Sequence, residues 1–83
     1  MNALRSYQIL YLGLLAERRG LDTEAVASPH TTPRTLYAEL DAAHRLGLDP
    51  AHFRAAINDE FASWDQPLAD GDHVAFLPPM AGG

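Results

Sequence analysis

The sequence predicts an α+β fold in which one sheet packs on one main helix. Two observations lead to this prediction. Apolar residues recur with the helical period in the middle of the chain, whereas the segments on either side are short, rich in β-branched and aromatic residues, and bounded by turn formers. The connections between these segments are short, and 83 residues leave room for a single domain.

The N-terminal part is predicted to contain two strands. Residues 7–12 are aromatic and aliphatic enough to form the first strand. After Gly13, residues 14–19 are predicted to make one or two helical turns. Residues 23–27 form the second predicted strand, and Pro29 ends it because proline cannot donate a hydrogen bond to a neighbouring strand.

The main helix is predicted over residues 33–46. Thr32 is a good N-cap, and Pro33 suits the first helical position because the N–H that it lacks would have no partner there. Gly47 is placed to adopt a left-handed conformation after the last turn. One apolar stripe of the helix is expected to face the sheet, and it consists of Leu36, Tyr37, Leu40 and Ala43.

The C-terminal part is predicted to form a hairpin and then a last strand. Residues 53–57 and 61–64 are the two arms of the hairpin, with residues 58–60 at its turn. A run of turn formers follows, including an Asp-Gly pair that marks a tight reversal. The last strand spans residues 73–77 and ends at two consecutive prolines.

The composition excludes several classes of protein. The chain has no cysteine, which excludes a disulfide framework, a thiolate metal site and a cysteine nucleophile. It also has no lysine, and its six arginines against eleven acidic residues give a net charge of −5. Because a negative domain is repelled by phosphate backbones, we expect no nucleic-acid partner and consider a positively charged protein a better fit.

The sequence predicts no membrane segment. No apolar run reaches the length that a bilayer requires. The apolar stretch at residues 7–15 follows Arg5, as in a signal peptide, but it lacks a small-residue cleavage site and continues directly into charged residues. We expect a buried strand at this position, no membrane partner and a cytoplasmic protein.

The side chains show no pattern of a catalytic or cofactor site. The sequence has no phosphate-binding loop, dinucleotide fingerprint or Ser-His-Asp signature. Asp70 and Asp72 lie among turn formers and are expected to hold a turn rather than to act as an acid–base pair. Four histidines lie on different elements without metal-ligand spacing: His30, His44, His52 and His73. We therefore expect no bound cofactor or metal, and no independent enzyme.

The C-terminal residues are the part of the chain best suited to chemistry. We expect a domain over residues 1–79 and a flexible tail over residues 80–83. The two prolines stiffen the start of the tail, and Gly82 and Gly83 fit a narrow slot because they have no Cβ. A terminal glycine carboxylate is an unhindered acyl group that a partner enzyme can adenylate and a sulfur nucleophile can then attack. The alternative is a frayed end without a function, which is common at termini.

A second feature indicates a docking role. Side chains alternate along a strand, so the first and last strands each present two apolar faces, and one helix covers only one side of a sheet. If the two strands are neighbours, an exposed apolar patch results beside the start of the tail, formed by Leu10, Leu12, Ala75 and Leu77. The alternative is that loops cover this side of the sheet.

The C-terminal third resembles the small subunits of molybdopterin synthases. The likeness covers residues 56–83, whose ending Phe-Leu-Pro-Pro-Met-Ala-Gly-Gly is fairly specific for that family. It lies in the strings Ala56-Ile57-Asn58, Asp65-Gln66-Pro67-Leu68, Gly71-Asp72, Val74-Ala75-Phe76 and Pro78 to Gly83. The N-terminal half matches more weakly, mainly over residues 10–17 and 32–40.

The resemblance implies a β-grasp fold like that of ubiquitin and a role as sulfur carrier. In that family an E1-like adenylyltransferase uses ATP and Mg²⁺ to activate the terminal glycine, which becomes a thiocarboxylate. The tail then enters the large synthase subunit, where its sulfur goes to the cyclic pyranopterin precursor of the molybdenum cofactor. By this likeness Gly83 carries the sulfur, and Met80, Ala81 and Gly82 line the insertion channel. The same likeness implies a partner interface at Leu12, Phe76, Leu77 and Pro78, in which the first three belong to or support the docking surface.

Two alternatives remain within the same terminal chemistry. The carrier serves another product, such as thiazole, thiolated tRNA or cysteine, or the chain is a ubiquitin-like protein modifier that is joined to lysines. Without lysine, the chain cannot form lysine-linked chains on itself, which argues against a modifier without excluding one.

Overall fold

The computed structural model describes residues 3–78 of the chain. In chain order, its elements are β1 (Arg5–Tyr11), α1 (Leu14–Arg19), β2 (Thr23–Ser28), α2 (Pro33–His44), a short 3-10 helix (Pro50–His52), β3 (Arg54–Ile57), β4 (Glu60–Ala62) and β5 (His73–Leu77). Each predicted strand and helix is present, so the predicted α+β architecture is confirmed. Neither helix of the described residues is long and apolar enough to cross a bilayer.

The five strands form one mixed sheet in the order β2-β1-β5-β3-β4. The first and last strands, β1 and β5, are parallel neighbours in the centre, and the other three pairings are antiparallel. This central pairing joins segments far apart in the chain. It places the end of β1 and the end of β5 side by side at one edge of the sheet.

The core lies between one face of the sheet and α2. Strand β1 contributes Tyr7, Ile9 and Tyr11, each only 1% exposed, because alternate residues of a strand point to the same side. The Tyr7 hydroxyl donates a 2.6 Å hydrogen bond to the carbonyl oxygen of His30. Among the described residues no buried side-chain nitrogen or oxygen lacks a hydrogen-bond partner. The tyrosine hydroxyls of the core are therefore buried without the loss of stability that an unpaired polar group causes.

Helix α2 begins as predicted and ends two residues earlier. The Thr32 hydroxyl accepts a hydrogen bond from the backbone N–H of Thr35, and Pro33 follows it. The first residue after the helix, Arg45, already adopts a left-handed conformation, with φ 53°. The predicted residue, Gly47, also has a positive φ but lies two residues further on. This early end turns Leu46 into the core, where it is fully buried. Three residues of the predicted stripe, Leu36, Tyr37 and Leu40, are buried, whereas Ala43 is exposed.

The predicted hairpin is present with a two-residue turn. Asn58 and Asp59 have φ values of 52° and 71°, and positive φ at both central residues defines the turn type whose twist suits a hairpin. The predicted second arm is shorter in the structure because β4 ends at Ala62. Trp64 lies beyond the strand and packs its indole against the core.

Candidate functional site

The last strand, β5, leads from the centre of the sheet to the tail. Val74 and Phe76 point into the core, whereas Ala75 and Leu77 lie on the opposite face and remain partly exposed. Pro78 follows the strand and is exposed. The predicted site residues of the tail lie outside the described residues: Met80, Ala81, Gly82 and Gly83.

Phe76, which was predicted to belong to or support the docking surface, is not exposed on it and can only support it from the core. Its side chain is 0% exposed, meets the Tyr37 ring edge-on at a centroid distance of 5.2 Å, and stacks on Trp64 at 5.8 Å. Because side chains alternate along a strand, Phe76 faces the core when Leu77 faces outward. Phe76 therefore holds β5 on the core, and no partner of the folded domain touches it.

An apolar groove crosses the outer face of the sheet, opposite α2. The strand register sets Leu10, Ala75, Ala56 and Phe61 in a row across β1, β5, β3 and β4. The groove has a volume of ≈ 200 Å³ and is lined by Leu10, Leu12, Ala56, Asp59, Phe61, Ala75 and Leu77.

Most side chains of the apolar groove are open to solvent, whereas Ala56 at its floor is buried. Leu10 is 37% exposed and Phe61 is 59% exposed, while Leu12 and Leu77 are partly exposed. The alternative in which loops cover this side of the sheet is therefore wrong. Because Leu12 and Leu77 lie at its end, the apolar groove reaches the point where the chain leaves the domain.

Three residues of the apolar groove are absent from the predicted patch: Asp59 and the apolar residues Ala56 and Phe61. The alternation within the hairpin and its two-residue turn were a local signal that these two apolar side chains share a face. That they join Leu10 and Ala75 depends on the pairing of β3 with β5. This pairing connects strands separated by the whole segment of turns before β5, so no local pattern encodes it.

The apolar groove carries little charge. Asp59 is the one ionisable residue among its lining residues in the described part of the chain. At its edge, the Arg54 guanidinium lies 4.0 Å from the centroid of the Phe61 ring, a distance typical of a cation–π contact. Most of the eleven acidic residues therefore lie on other surfaces. Such a surface offers apolar contact, with charge at the rim to steer a partner.

The most extensive ionic network lies away from the apolar groove and joins β1, α1 and β2. The Tyr11 hydroxyl donates to Glu24 Oε2 at 2.6 Å, and Arg19 donates to both oxygens of the same carboxylate at 2.9 and 2.8 Å. Its hydrogen bonds from Arg19 lower the pKa of Glu24, and burial raises the pKa of Tyr11. Near neutral pH the carboxylate is ionised and the phenol is neutral, so the network serves structure rather than proton transfer.

The acidic residues before β5 hold a turn, as predicted. Asp70 Oδ1 accepts from the backbone N–H of Ser6 at 2.6 Å. Asp72 accepts from the Asn58 side-chain amide at 2.9 Å and from the Ala69 N–H at 2.8 Å. Within residues 3–78, no group of three or more His, Asp or Glu side chains is arranged to hold a metal ion.

Comparison with known proteins gives consistent results. The model of the ThiS family matches residues 9–83. The molybdopterin synthase sulfur carrier subunit of Escherichia coli is 35% identical over 79 residues, which cover 92% of this chain and 98% of that protein. This match confirms the resemblance that the C-terminal motifs indicate.

Solved structures agree in fold. A structure from Pyrococcus furiosus, described as molybdopterin converting factor subunit 1, is 26% identical with a TM-score of 0.77, covering 92% of this chain and 99% of that one. A chain in the complex of subunits 1 and 2 of the molybdopterin-converting factor from Helicobacter pylori has a TM-score of 0.65 at 23% identity, covering 94% and 99%. The predicted β-grasp fold is confirmed.

Proposed function

The chain belongs to the ThiS family, and on that premise we propose that it is the sulfur carrier subunit of a molybdopterin synthase. It donates sulfur to the cyclic pyranopterin precursor in molybdenum cofactor biosynthesis. The match to the Escherichia coli carrier along nearly the full length of both chains supports this assignment. The ending Pro78 to Gly83, with its two glycines, is part of the matched region.

The observation that carries the proposal is the apolar groove that reaches the start of the tail. A carrier that delivers a terminal group into another protein requires a surface that seals against that protein around the exit of its chain. Leu12 and Leu77 provide this surface at the end of the apolar groove, next to Pro78. Contiguous exposed apolar surface of this kind is typical of partner sites.

The proposed chemistry takes place at the Gly83 carboxylate. An E1-like adenylyltransferase transfers AMP from ATP to a carboxylate oxygen and releases pyrophosphate, with Mg²⁺ held by that enzyme. A sulfur nucleophile then attacks the acyl carbon and displaces AMP, which leaves a thiocarboxylate. After the sulfur has passed to the precursor, water supplies the oxygen that restores the carboxylate. This chain supplies no side chain to these steps, so it is a donor subunit and not an independent enzyme.

The proposed partners follow from the same chemistry. The large synthase subunit receives the tail in a channel, where it contacts Met80, Ala81 and Gly82. Outside the channel it contacts the domain at Leu12, Leu77 and Pro78. The Helicobacter pylori structure is a complex of subunit 1 with subunit 2 of a molybdopterin-converting factor, which supports a large-subunit partner for this chain. We place the protein in the cytoplasm, where ATP for the activation step is available.

The test is the mass of the intact chain after incubation with an E1-like enzyme, ATP and a sulfur source, followed by addition of the large subunit and the pterin precursor. We expect one oxygen to be replaced by sulfur and then restored as the dithiolene product forms. A chain that lacks Gly83, and a chain with one residue added after it, should give no product. Their thermal unfolding should stay that of the wild type, because the last residues of most domains contribute little to stability.

Two outcomes contradict the proposal in different ways. A product formed by the extended chain would show that the terminal acyl group is not the donor. A thiocarboxylate that forms but transfers no sulfur to the precursor would assign the chain to another sulfur pathway. Covalent attachment to lysines of other proteins, in place of sulfur transfer, would identify a protein modifier.

A further inference from the structure

Two segments of the chain leave the sheet side by side. Strands β1 and β5 are parallel, and the last pair in their register is Tyr11 with Phe76. The residues that follow, Leu12 and Gly13 on one side and Leu77 and Pro78 on the other, therefore run next to each other. Their directions then differ, because β1 must turn at once into α1, which begins at Leu14, whereas β5 leads to the tail.

The turn after β1 is made by Gly13 in a conformation that other residues avoid. Its φ of 59° and ψ of −129° lie in a region that a Cβ closes to L-amino acids. Gly13 also occupies the N-cap position of α1 without a side chain to cap the helix, and its carbonyl oxygen accepts from the N–H of Glu17 at 3.3 Å. The local structure alone thus explains why glycine is required for the turn.

The same glycine lies next to Pro78, the residue from which the tail departs. The nearest heavy atom to the position that a Cβ would occupy on Gly13 is Cγ of Pro78, at 3.6 Å, which is an ordinary van der Waals distance. The pyrrolidine ring of Pro78 therefore rests beside the bare backbone of Gly13. The ring fixes φ at Pro78, so a neighbour that restrains the ring also restrains the backbone of Pro78.

We propose that Gly13 is a positioning residue for sulfur transfer: its backbone seats Pro78 and thereby aims the tail. The proposal rests on the proposed function, because aim matters only if the tail must enter a partner. With a side chain at residue 13 the turn relaxes to another conformation, and the seat for Pro78 moves. A displacement of about 1 Å at a reacting group lowers a rate by as much as about a hundredfold.

Gly20 provides a control for a side chain added at positive φ on the same helix, and its left-handed conformation, with ψ 9°, admits a Cβ more readily than that of Gly13. It lies at the other end of α1, has a φ of 80°, and a Cβ at this position would meet nothing within 4 Å. Gly13→Ala and Gly20→Ala thus each place an alanine at a positive φ on the same short helix. Only the first change is made at a residue that lies next to Pro78.

The experiment compares thiocarboxylated wild type, Gly13→Ala and Gly20→Ala, each prepared chemically so that the activating enzyme plays no part. We measure the single-turnover rate of sulfur transfer at saturating large subunit, and the Kd for that subunit. For Gly13→Ala we expect a rate lower by about 10- to 100-fold with a smaller change in Kd, and for Gly20→Ala a rate close to the wild type. Equal rates for the two variants would overturn the proposal and leave the sulfur carrier function intact.

A second comparison separates positioning from a general loss of stability. Pro78→Ala removes the ring that Gly13 seats, so the double variant should lose no more rate than the more affected single variant. Losses that multiply would mean that the two residues act independently, which contradicts the proposal.

A structural readout does not depend on sulfur transfer. Nuclear Overhauser contacts between the α-protons of residue 13 and the ring protons of Pro78 should be present in wild type and Gly20→Ala and lost in Gly13→Ala. Their absence from the wild type would overturn the proposed seat. If the wild type shows them but transfers no sulfur, the proposed function fails, and with it the role of Gly13 in transfer.

Discussion

Leu77→Glu is the substitution that tests the docking surface most directly. Leu77 is the last residue of β5, lies at the end of the apolar groove and is partly exposed. Its cross-strand neighbour on the same face is Arg54. The new carboxylate would therefore be solvated and close to a cation in the free domain, and desolvated in a complex that covers the apolar groove.

The cost to the free domain is smaller than the stability of the domain. Burial of a whole leucine side chain is worth about 1.5–3 kcal/mol. Leu77 is only partly exposed, so its substitution loses most of that value. A cross-strand charge pair with Arg54 returns about 0.2–1 kcal/mol. A domain of this length has a total stability of roughly 4–12 kcal/mol. The variant should therefore remain folded, with a Tm lowered by about 4–16 °C.

The cost to the complex is larger. An unpaired charge taken out of water costs several kcal/mol, and about 3 kcal/mol corresponds to roughly a hundredfold in Kd. The assay is titration calorimetry of the free domain with the large synthase subunit, together with thermal unfolding of the domain alone.

Ala25→Glu is the matched control. It adds the same charge to the same side of the sheet, on the exposed edge strand β2 opposite Gln8. Long-range repulsion is thus common to both variants, and Ala25→Glu should bind nearly as the wild type does. Wild-type affinity in Leu77→Glu would refute the assignment of the apolar groove as the docking surface. Unfolding of the free Leu77→Glu domain would refute the burial argument instead.

Two further predictions concern stability. The pKa of Glu24 is lowered in the folded state by its hydrogen bonds from Arg19, so its stabilising contribution is present above the ordinary pKa of a glutamate and is lost as the pH falls through the lower folded pKa. Urea unfolding at a series of acidic pH values should show this loss in the wild type and not in Glu24→Gln. An equal loss in both would show that other carboxylates cause it. Phe76→Ala should lower the free energy of unfolding by about 3–5 kcal/mol because the side chain is fully buried. Phe61→Ala should change it by less than about 1 kcal/mol because 59% of its surface is already exposed. Similar losses for the two variants in denaturant unfolding would contradict this assignment of the two faces.

The elements of the fold were largely predictable from the sequence because their signals are local. The start of α2 is marked by Thr32 and Pro33, and the hairpin by Asn58 and Asp59, each through its own backbone preferences. The end of α2 was less predictable. Helix propensity continues through Arg45, but the helix ends at His44 because Leu46 is buried in a core that only the folded chain contains.

The site divides in the same way. The Gly-Gly ending, the lack of cysteine and lysine, and the alternation of apolar residues in β1 and β5 were visible in the sequence, and they indicated a donor of a terminal group with an apolar docking surface. Which apolar residues face a partner was not visible. Phe76 belongs to the same apolar run as Leu77, and only the position of α2 decides that the one is core and the other surface.

The sequence by itself determined the class of fold, the order of its elements and the chemistry of the terminal carboxylate, because these depend on residues that are close together in the chain. The tertiary structure alone decided that β1 and β5 are neighbours, that Ala56 and Phe61 extend the apolar groove, and that Pro78 rests beside Gly13. These contacts join residues far apart in the chain, and they form because burying one face of the whole sheet on α2 stabilises a single strand order, which no local pattern specifies.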